Sequence, residues 1–360
     1  MFSNATGRGT WIAAFVLLAA MTGCAPAGSS ASSSASPFPS GAAEAVIAVG
    51  QRPAIAAVGE GAVWVPNTGD GTVTKIDPHA NRVTATLSIG NQLAFYHRDC
   101  ESKGSVHSFM VTSFHVRDCD LPSAVGVGNG ALWVLKNDDQ ALLRIDPRTL
   151  RIVARIPLGF TPFDMEVADN AVWIGGYWVD QLVRVDPASN KVVARFTLPD
   201  GVSGIAASAQ AVWVASTVAG VVSRIDPTTN NVVQTVTMPC PSICYQGTLP
   251  LTIAVDTVAV WVRTVGDGLV ARIDPQTNRI TATIDVTYPL GRNGQDHVAL
   301  LAGSLWVSGV SLQRISEQTN QVVGTVGAEA TGVVSGFGSL WVTDLFGRME
   351  RIDPPRAPSG

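Results

Sequence analysis

The residues with the most chemical potential are gathered in one stretch. Between Asn91 and Asp120, "HRDC" (His97 to Cys100) and "HVRDC" (His115 to Cys119) bring together two histidines, two cysteines and two aspartates. Thiolate sulfur and imidazole nitrogen are the donors zinc prefers, and this spacing would tolerate a tetrahedral site. The same cysteines would instead pair if the compartment is oxidising, as would Cys240 and Cys244 in "CPSICYQGT". Asp296 beside His297 offers a second chemistry, a charge-assisted pair or a general base. Phe163, Asp164, Tyr177, Trp178, Arg263 and Asp344, with Asp180, Asp267 and Phe346, add aromatic faces and charges suited to holding a ligand.

The compartment follows from the start of the chain. Arg8 precedes the apolar run "WIAAFVLLAAM" (Trp11 to Met21), and "TGC" ends at Cys24. The run is too short for an ordinary membrane span and has the layout of a secretory signal. "MTGC" resembles a bacterial lipobox, so residues 1–23 are expected to be cleaved and Cys24 lipidated, on the outer side of a cell membrane. "APAGSSASSSASPFPSGAAE" then reads as a tether over residues 24–43, with a root-mean-square reach of about 25 Å as a coil. Export favours the disulfides Cys100–Cys119 and Cys240–Cys244 over a metal, so neither a metal nor another cofactor is expected. A net charge of −4 gives no positive field for nucleic acid or anionic lipid. The lipid anchor is thus the only membrane contact anticipated, and a monomer is expected.

The elements that must position these residues are repeats. Trp64, Trp133, Trp173, Trp213, Trp261, Trp306 and Trp341 each follow Ala or Ser and then Val or Leu, and each precedes Val or Ile. A strand apolar on both faces should be buried on both. Downstream of each stands a cation, Lys75, Arg144, Arg184, Arg224, Arg272, Arg314 or Arg351, then an aliphatic residue and usually Asp-Pro, as in Asp186-Pro187. Asp opening a turn accepts backbone N–H bonds and Pro sets φ, so this is a hairpin. The cation, two residues before the Asp on one strand face, is expected to pair with that carboxylate.

A Gly-rich segment before each Trp and a "VVARFTL"-like run after each turn complete four antiparallel strands per repeat, the pattern of a β-propeller blade. Seven copies predict an all-β, seven-bladed propeller over residues 44–355, with a tail at 356–360. The last copy lacks an outer strand, and "EAVIAVG" (Glu44 to Gly50) is predicted to supply it and close the ring.

The phrase "VWV...G.V.RIDP.TN.VV.T" resembles YVTN-type β-propeller repeats of bacterial surface and periplasmic proteins, whose pattern overlaps that of virginiamycin B lyase-like propellers. The resemblance implies this fold and, most often, binding or scaffolding. The lyase branch would require a catalytic His with an acidic partner and a metal near the central pore. His79, His97, His107, His115 and His297 show no such blade-to-blade pattern, so no catalytic residue is carried over.

Spacings between successive tryptophans are 69, 40, 40, 48, 45 and 35 residues. The excesses are the 91–120 insertion, Cys240 to Thr248 and Tyr288 to Gln295, each joining an outer strand to the next inner strand and so expected at one mouth of the ring. Function is expected where a scaffold's rhythm breaks. The leading expectation is binding of a protein, peptide, glycan or small ligand at that mouth, without catalysis. A metal-dependent lyase or hydrolase using His297 and a structural envelope component are the alternatives.

Overall fold

The computed structural model describes residues 43–90, 122–137, 139–168, 170–177, 179–199, 201–239, 249–265, 268–286, 297–327, 330–344 and 346–354. They form twenty-eight strands, numbered β1 to β28 in chain order, in seven four-stranded antiparallel sheets. Blade three shows the plan: inner β10 (Asp164–Ala168), then β11 (Ala171–Gly175), β12 (Gln181–Asp186) and outer β13 (Lys191–Thr197). All five residues of β11 are buried, because both its faces carry apolar side chains against neighbouring sheets. The outer strand β13 alternates exposed with less exposed positions, as expected of a strand packed on one face. Each inner strand touches the inner strands of the blades on either side, and blade seven's touches blade one's, so the sheets close into a ring.

The seam is sealed by the start of the described chain. Strand β1 (Ala45–Ala48) pairs antiparallel with β28 (Arg348–Ile352) as the outer strand of blade seven. Glu44 N donates to Arg351 O at 2.8 Å and Val49 N to Gly347 O at 2.8 Å, which extends the ladder beyond both ends of β1. The chain then crosses to blade one, where Gly50 N donates to Asn67 Oδ1 at 3.0 Å and Gln51 N to Asp70 Oδ2 at 2.6 Å. One segment therefore completes blade seven and grips blade one.

The core lies between blades, and the tryptophans organise it. Trp173 of blade three packs with Val202, Ile205, Val212 and Val214 of blade four, and the same grouping recurs around the ring. Over each indole lies the cation directly across the ladder: Lys75 on Trp64 at 5.0 Å, Arg144 on Trp133 at 5.4 Å, Arg184 on Trp173 at 5.5 Å and Arg351 on Trp341 at 5.7 Å, with blades four to six alike.

The cations do not chiefly pair with their own aspartates, as the spacing had suggested; they reach the next blade. Arg144 Nη1 donates to Pro187 O at 2.7 Å and Asn190 Oδ1 at 3.0 Å, and Arg184 Nη1 to Pro227 O at 2.8 Å and Asn230 Oδ1 at 3.0 Å. Arg224 and Arg272 find Asn278 and Asn320, each at 3.0 Å. Arg351 closes the circle onto Pro78 O and Asn81 Oδ1 of blade one, and it alone also meets its own carboxylate, Asp353, at 3.0 Å. The aspartates are otherwise occupied, since Asp226 Oδ1 accepts from Thr228 N and Thr229 N inside its own turn. The asparagines have φ between 50° and 57° at Asn81, Asn190, Asn230, Asn278 and Asn320, a region Asn tolerates, and this turns the side chain toward the preceding blade. In blade two Leu150 takes that position, and the cation facing it is the only lysine, which bonds Pro147 O alone.

Chain leaving an outer strand is tied to the loop that follows the Trp strand: Leu158 N donates to Gln140 O, Leu198 N to Asp180 O, Met238 N to Gly220 O and Val286 N to Gly268 O. The strand ends flanking the three insertions thus lie at one mouth. Deleting Glu44 to Gly50 should remove on the order of 3 kcal/mol of ladder and Ile47 burial and lower Tm by roughly 5 °C or more. An unchanged Tm in calorimetry of the truncated protein would contradict the clasp.

Candidate functional site

Aligning the inner strands on their tryptophans exposes what the repeats hide. Nine residues before each Trp stand Ile55, Ala124, Asp164, Gly204, Thr252, His297 and Gly332. Seven residues before, directly across the ladder from the indole, stand Ala57, Gly126, Glu166, Ala206, Ala254, Ala299 and Val334. A small residue leaves room for the indole, yet blade three puts a glutamate there. Asp164 and Glu166 are the only ionisable residues on the seven inner strands, and His297 immediately precedes β22 (Val298–Leu300) of blade six. Asp164 and His297 occupy the same level at the insertion-bearing mouth, on different blades.

Each is held by backbone. Asp164 Oδ2 accepts Ile205 N at 2.9 Å, and Glu166 accepts the N–H of Ala207. Both donors belong to β14 (Val202–Ala207), the inner strand of blade four. Every second N–H on such a strand points away from its ladder, and the two carboxyl groups cap two of these. His297 N donates to Ser308 Oγ at 2.7 Å, and Ser308 N returns a bond to His297 O at 2.9 Å.

All three side chains keep part of their surface open, but the crowded inner ring excludes most water and disfavours charge. Burial pushes Asp164 up to about 7, against the N–H bonds from Ile205 and Met165. Burial, reinforced by the neighbouring Asp164, pushes Glu166 up to about 8, with the Ala207 N–H opposing. Burial drives His297 down to about 3. Burial thus favours the protonated form of both carboxyls and the neutral form of the imidazole, groups that donate and accept hydrogen bonds and exchange protons.

The remaining sequence candidates are dispersed. Phe163 is partly exposed beside Asp164, its ring 5.0 Å from Tyr177. Tyr177 is buried, and its hydroxyl meets the Thr217 side chain of blade four, which itself donates to Pro250 O of blade five at 2.6 Å. Arg263 is only 1% exposed, with Nη1 donating to Thr264 O and Leu269 O on two strands of its own blade. Asp344 caps its own turn, accepting from Phe346 N and Arg348 N and pairing with Arg348 at 2.5 Å. Asp180 is exposed at the mouth, and Phe346 is exposed under the Arg348 guanidinium. Cys24, Cys100, Cys119, Cys240, Cys244, Trp178, Asp267 and Asp296 lie outside the described residues. Among the described residues no three His, Cys, Asp or Glu side chains converge as a metal site would require. Glu166 was not singled out from the sequence, although the offset from Trp173, compared across the seven copies, marks it.

The signs of these shifts predict two opposed limbs in stability against pH. Asp164 and Glu166 are raised above their unfolded values, so their contribution is full near pH 4 and is lost as pH rises through about 7 and 8. His297 is lowered, so its contribution is full above pH 6.5 and is lost as pH falls toward 3. The variant Asp164→Asn/Glu166→Gln should flatten the fall in Tm between about pH 6.5 and 8, above the His297 limb; retention of the parent slope would contradict the assignment.

No protein-family model and no curated protein matches the sequence. Among the many solved structures similar to this ring are two lyases. Virginiamycin B lyase from Staphylococcus aureus superposes with a TM-score of 0.67 at 14% identity, covering 86% of this chain and 99% of its own. A streptogramin B lyase gives 0.62 at 16% identity, covering 84% and 94%. At such identities the likeness is one of architecture. The chain shares the seven-bladed β-propeller fold of virginiamycin B lyase.

Proposed function

We propose that this chain is an extracytoplasmic, lipid-anchored binding protein that takes its ligand at the insertion-bearing mouth. Lipidation of Cys24 and the tether to residue 43 would hold the ring beside a membrane, as a monomer. The supporting observation is the placement of Asp164, Glu166 and His297, the ionisable groups of an inner ring otherwise built of small and apolar residues. A scaffold stabilised between its blades does not need them, and capping β14 with carboxyls that resist ionisation is costly unless the groups serve a ligand. Phe163 adds a partly exposed aromatic face beside them. Cys100–Cys119 and Cys240–Cys244 disulfides would stiffen two of the insertions whose flanking strand ends lie at this mouth. The ligand is a protein, peptide, glycan or small molecule able to hydrogen-bond to neutral carboxyl and imidazole groups.

The fold shared with two lyases supports a second reading, elimination chemistry at the same mouth with His297 as base, although the burial that keeps its imidazole neutral also weakens it as a proton acceptor. Two measurements separate the readings. Pull-down from the native envelope should recover a partner or glycan that is lost on deleting 91–120 and on Asp164→Asn/His297→Asn, with the fold retained by circular dichroism. Capture unchanged in both variants would overturn the binding site. Incubation with virginiamycin B, followed by chromatography, should give no turnover; turnover abolished by His297→Ala would establish the lyase instead.

A further inference from the structure

At the opposite mouth, between blades three and four, lies a cavity of about 320 Å³ lined by Trp173 and Arg184 of blade three and Ala207, Ser208, Pro227 and Thr228 of blade four, with Ala168 at its edge. The volume is at the lower end of small-molecule sites.

One observation sets this junction apart, the state of the indole N–H. In blades one, two and seven it donates to a glycine carbonyl five residues earlier, Gly59, Gly128 or Gly336, at 3.1 to 3.2 Å. In blades four, five and six the nitrogens of Trp213, Trp261 and Trp306 are sealed in the core without a partner. Trp173 belongs to neither group. The residue five before it is Ala168, no carbonyl among the described residues accepts from its indole, and the side chain, 1% exposed, lines the cavity. Arg184 lines the same cavity; its Nη1 is committed to Pro227 O and Asn230, as that of Arg144 is to the equivalent groups one blade earlier, while a guanidinium carries donors on two further nitrogens.

The wall is rich in donors. Among the described residues, the two turn carboxylates beside the cavity are turned away: Asp186 accepts from Ala188 N and Ser189 N, and Asp226 from Thr228 N and Thr229 N, each within its own turn. Burial favours the protonated form of Glu166, whose partner Ala207 lines the cavity, and so lessens its negative charge there. Ala168, Ala171 and Val212 supply an apolar side.

We propose that this cavity binds a small carboxylate ligand, its charge held by the Arg184 guanidinium and the Trp173 indole N–H and its apolar body lying against Ala168, Ala171 and Val212. Arginine suits this role because its planar fork matches a carboxylate. The site is separate from the insertion-bearing mouth and does not depend on the function proposed there.

The test is a titration of the full chain with sodium benzoate, followed through the indole N–H resonances in nitrogen-15-resolved NMR, with benzamide as the uncharged analogue. Benzoate up to about 10 mM, a range that reaches weak small-ligand affinities, should shift the Trp173 resonance selectively, and benzamide should shift it at least tenfold less. Ala168→Leu, which fills the cavity and leaves Arg184 in place, should abolish the shift. Arg144→Lys, the equivalent change at a junction without the cavity, should leave it intact, with the other indole resonances reporting a folded ring in each variant. No Trp173 shift with benzoate, equal response to benzamide, or persistence of the shift in folded Ala168→Leu would overturn the proposal.

Discussion

Everything else in the ring depends on one contact, a cation lying on its own blade's tryptophan while donating to the turn of the next blade. Neither half is strong alone. A cation over an indole is worth about 0.5–2 kcal/mol depending on desolvation, and a hydrogen bond from a charged donor about 1.5–3 kcal/mol. Together they fix the guanidinium in position, so that little conformational freedom remains to be lost when the second interaction forms. The tryptophan fills the space between sheets, the stacked cation covers it, and the asparagine in left-handed backbone completes the bridge. One side chain thus couples packing in one blade to turn geometry in the next.

A ring stabilised junction by junction leaves its innermost positions free to vary. The residue facing each indole across the ladder must only be small, a condition met by alanine, glycine or valine in six blades. Glu166 departs from it, and with Asp164 and His297 it introduces ionisable groups into a region that suppresses their charge. Spare stability held between blades allows the centre to carry such groups. Where the turn asparagine is replaced by Leu150, the cation facing it has changed as well, to Lys75. In blade six Arg314 keeps its place over Trp306, and its Nε donates to Ser304 Oγ of its own blade.

The architecture was legible because each of its signals is local. The tryptophan beat marks a buried strand, Asp-Pro marks a hairpin, and the missing outer strand of the last copy, matched against "EAVIAVG", identifies the clasp. The direction of the cations was not legible, since the local rule that residues two apart share a strand face pointed Arg184 toward Asp186. Its actual acceptor is 46 residues away, a distance that becomes meaningful only once consecutive blades stack. Of the site, Asp164 and His297 could be suspected from their positions near inner-strand starts. Glu166 sits inside an apolar phrase and becomes visible only through the common offset from tryptophan. Asp344 illustrates the reverse: a carboxylate placed at the mouth by topology is taken up by its own turn and by Arg348.

The central claim is that the arginine and the next blade's asparagine act as one unit. A double-mutant cycle on Arg144→Met and Asn190→Gly tests it most directly, because methionine keeps the apolar stem on Trp133 and glycine accepts the left-handed backbone without strain. Chemical denaturation of the parent, both single variants and the double variant should give a coupling energy of about 1 kcal/mol or more, as expected for a charged hydrogen bond between residues in contact. Additive losses, with coupling indistinguishable from zero, would contradict the bridge as the interaction on which the ring depends.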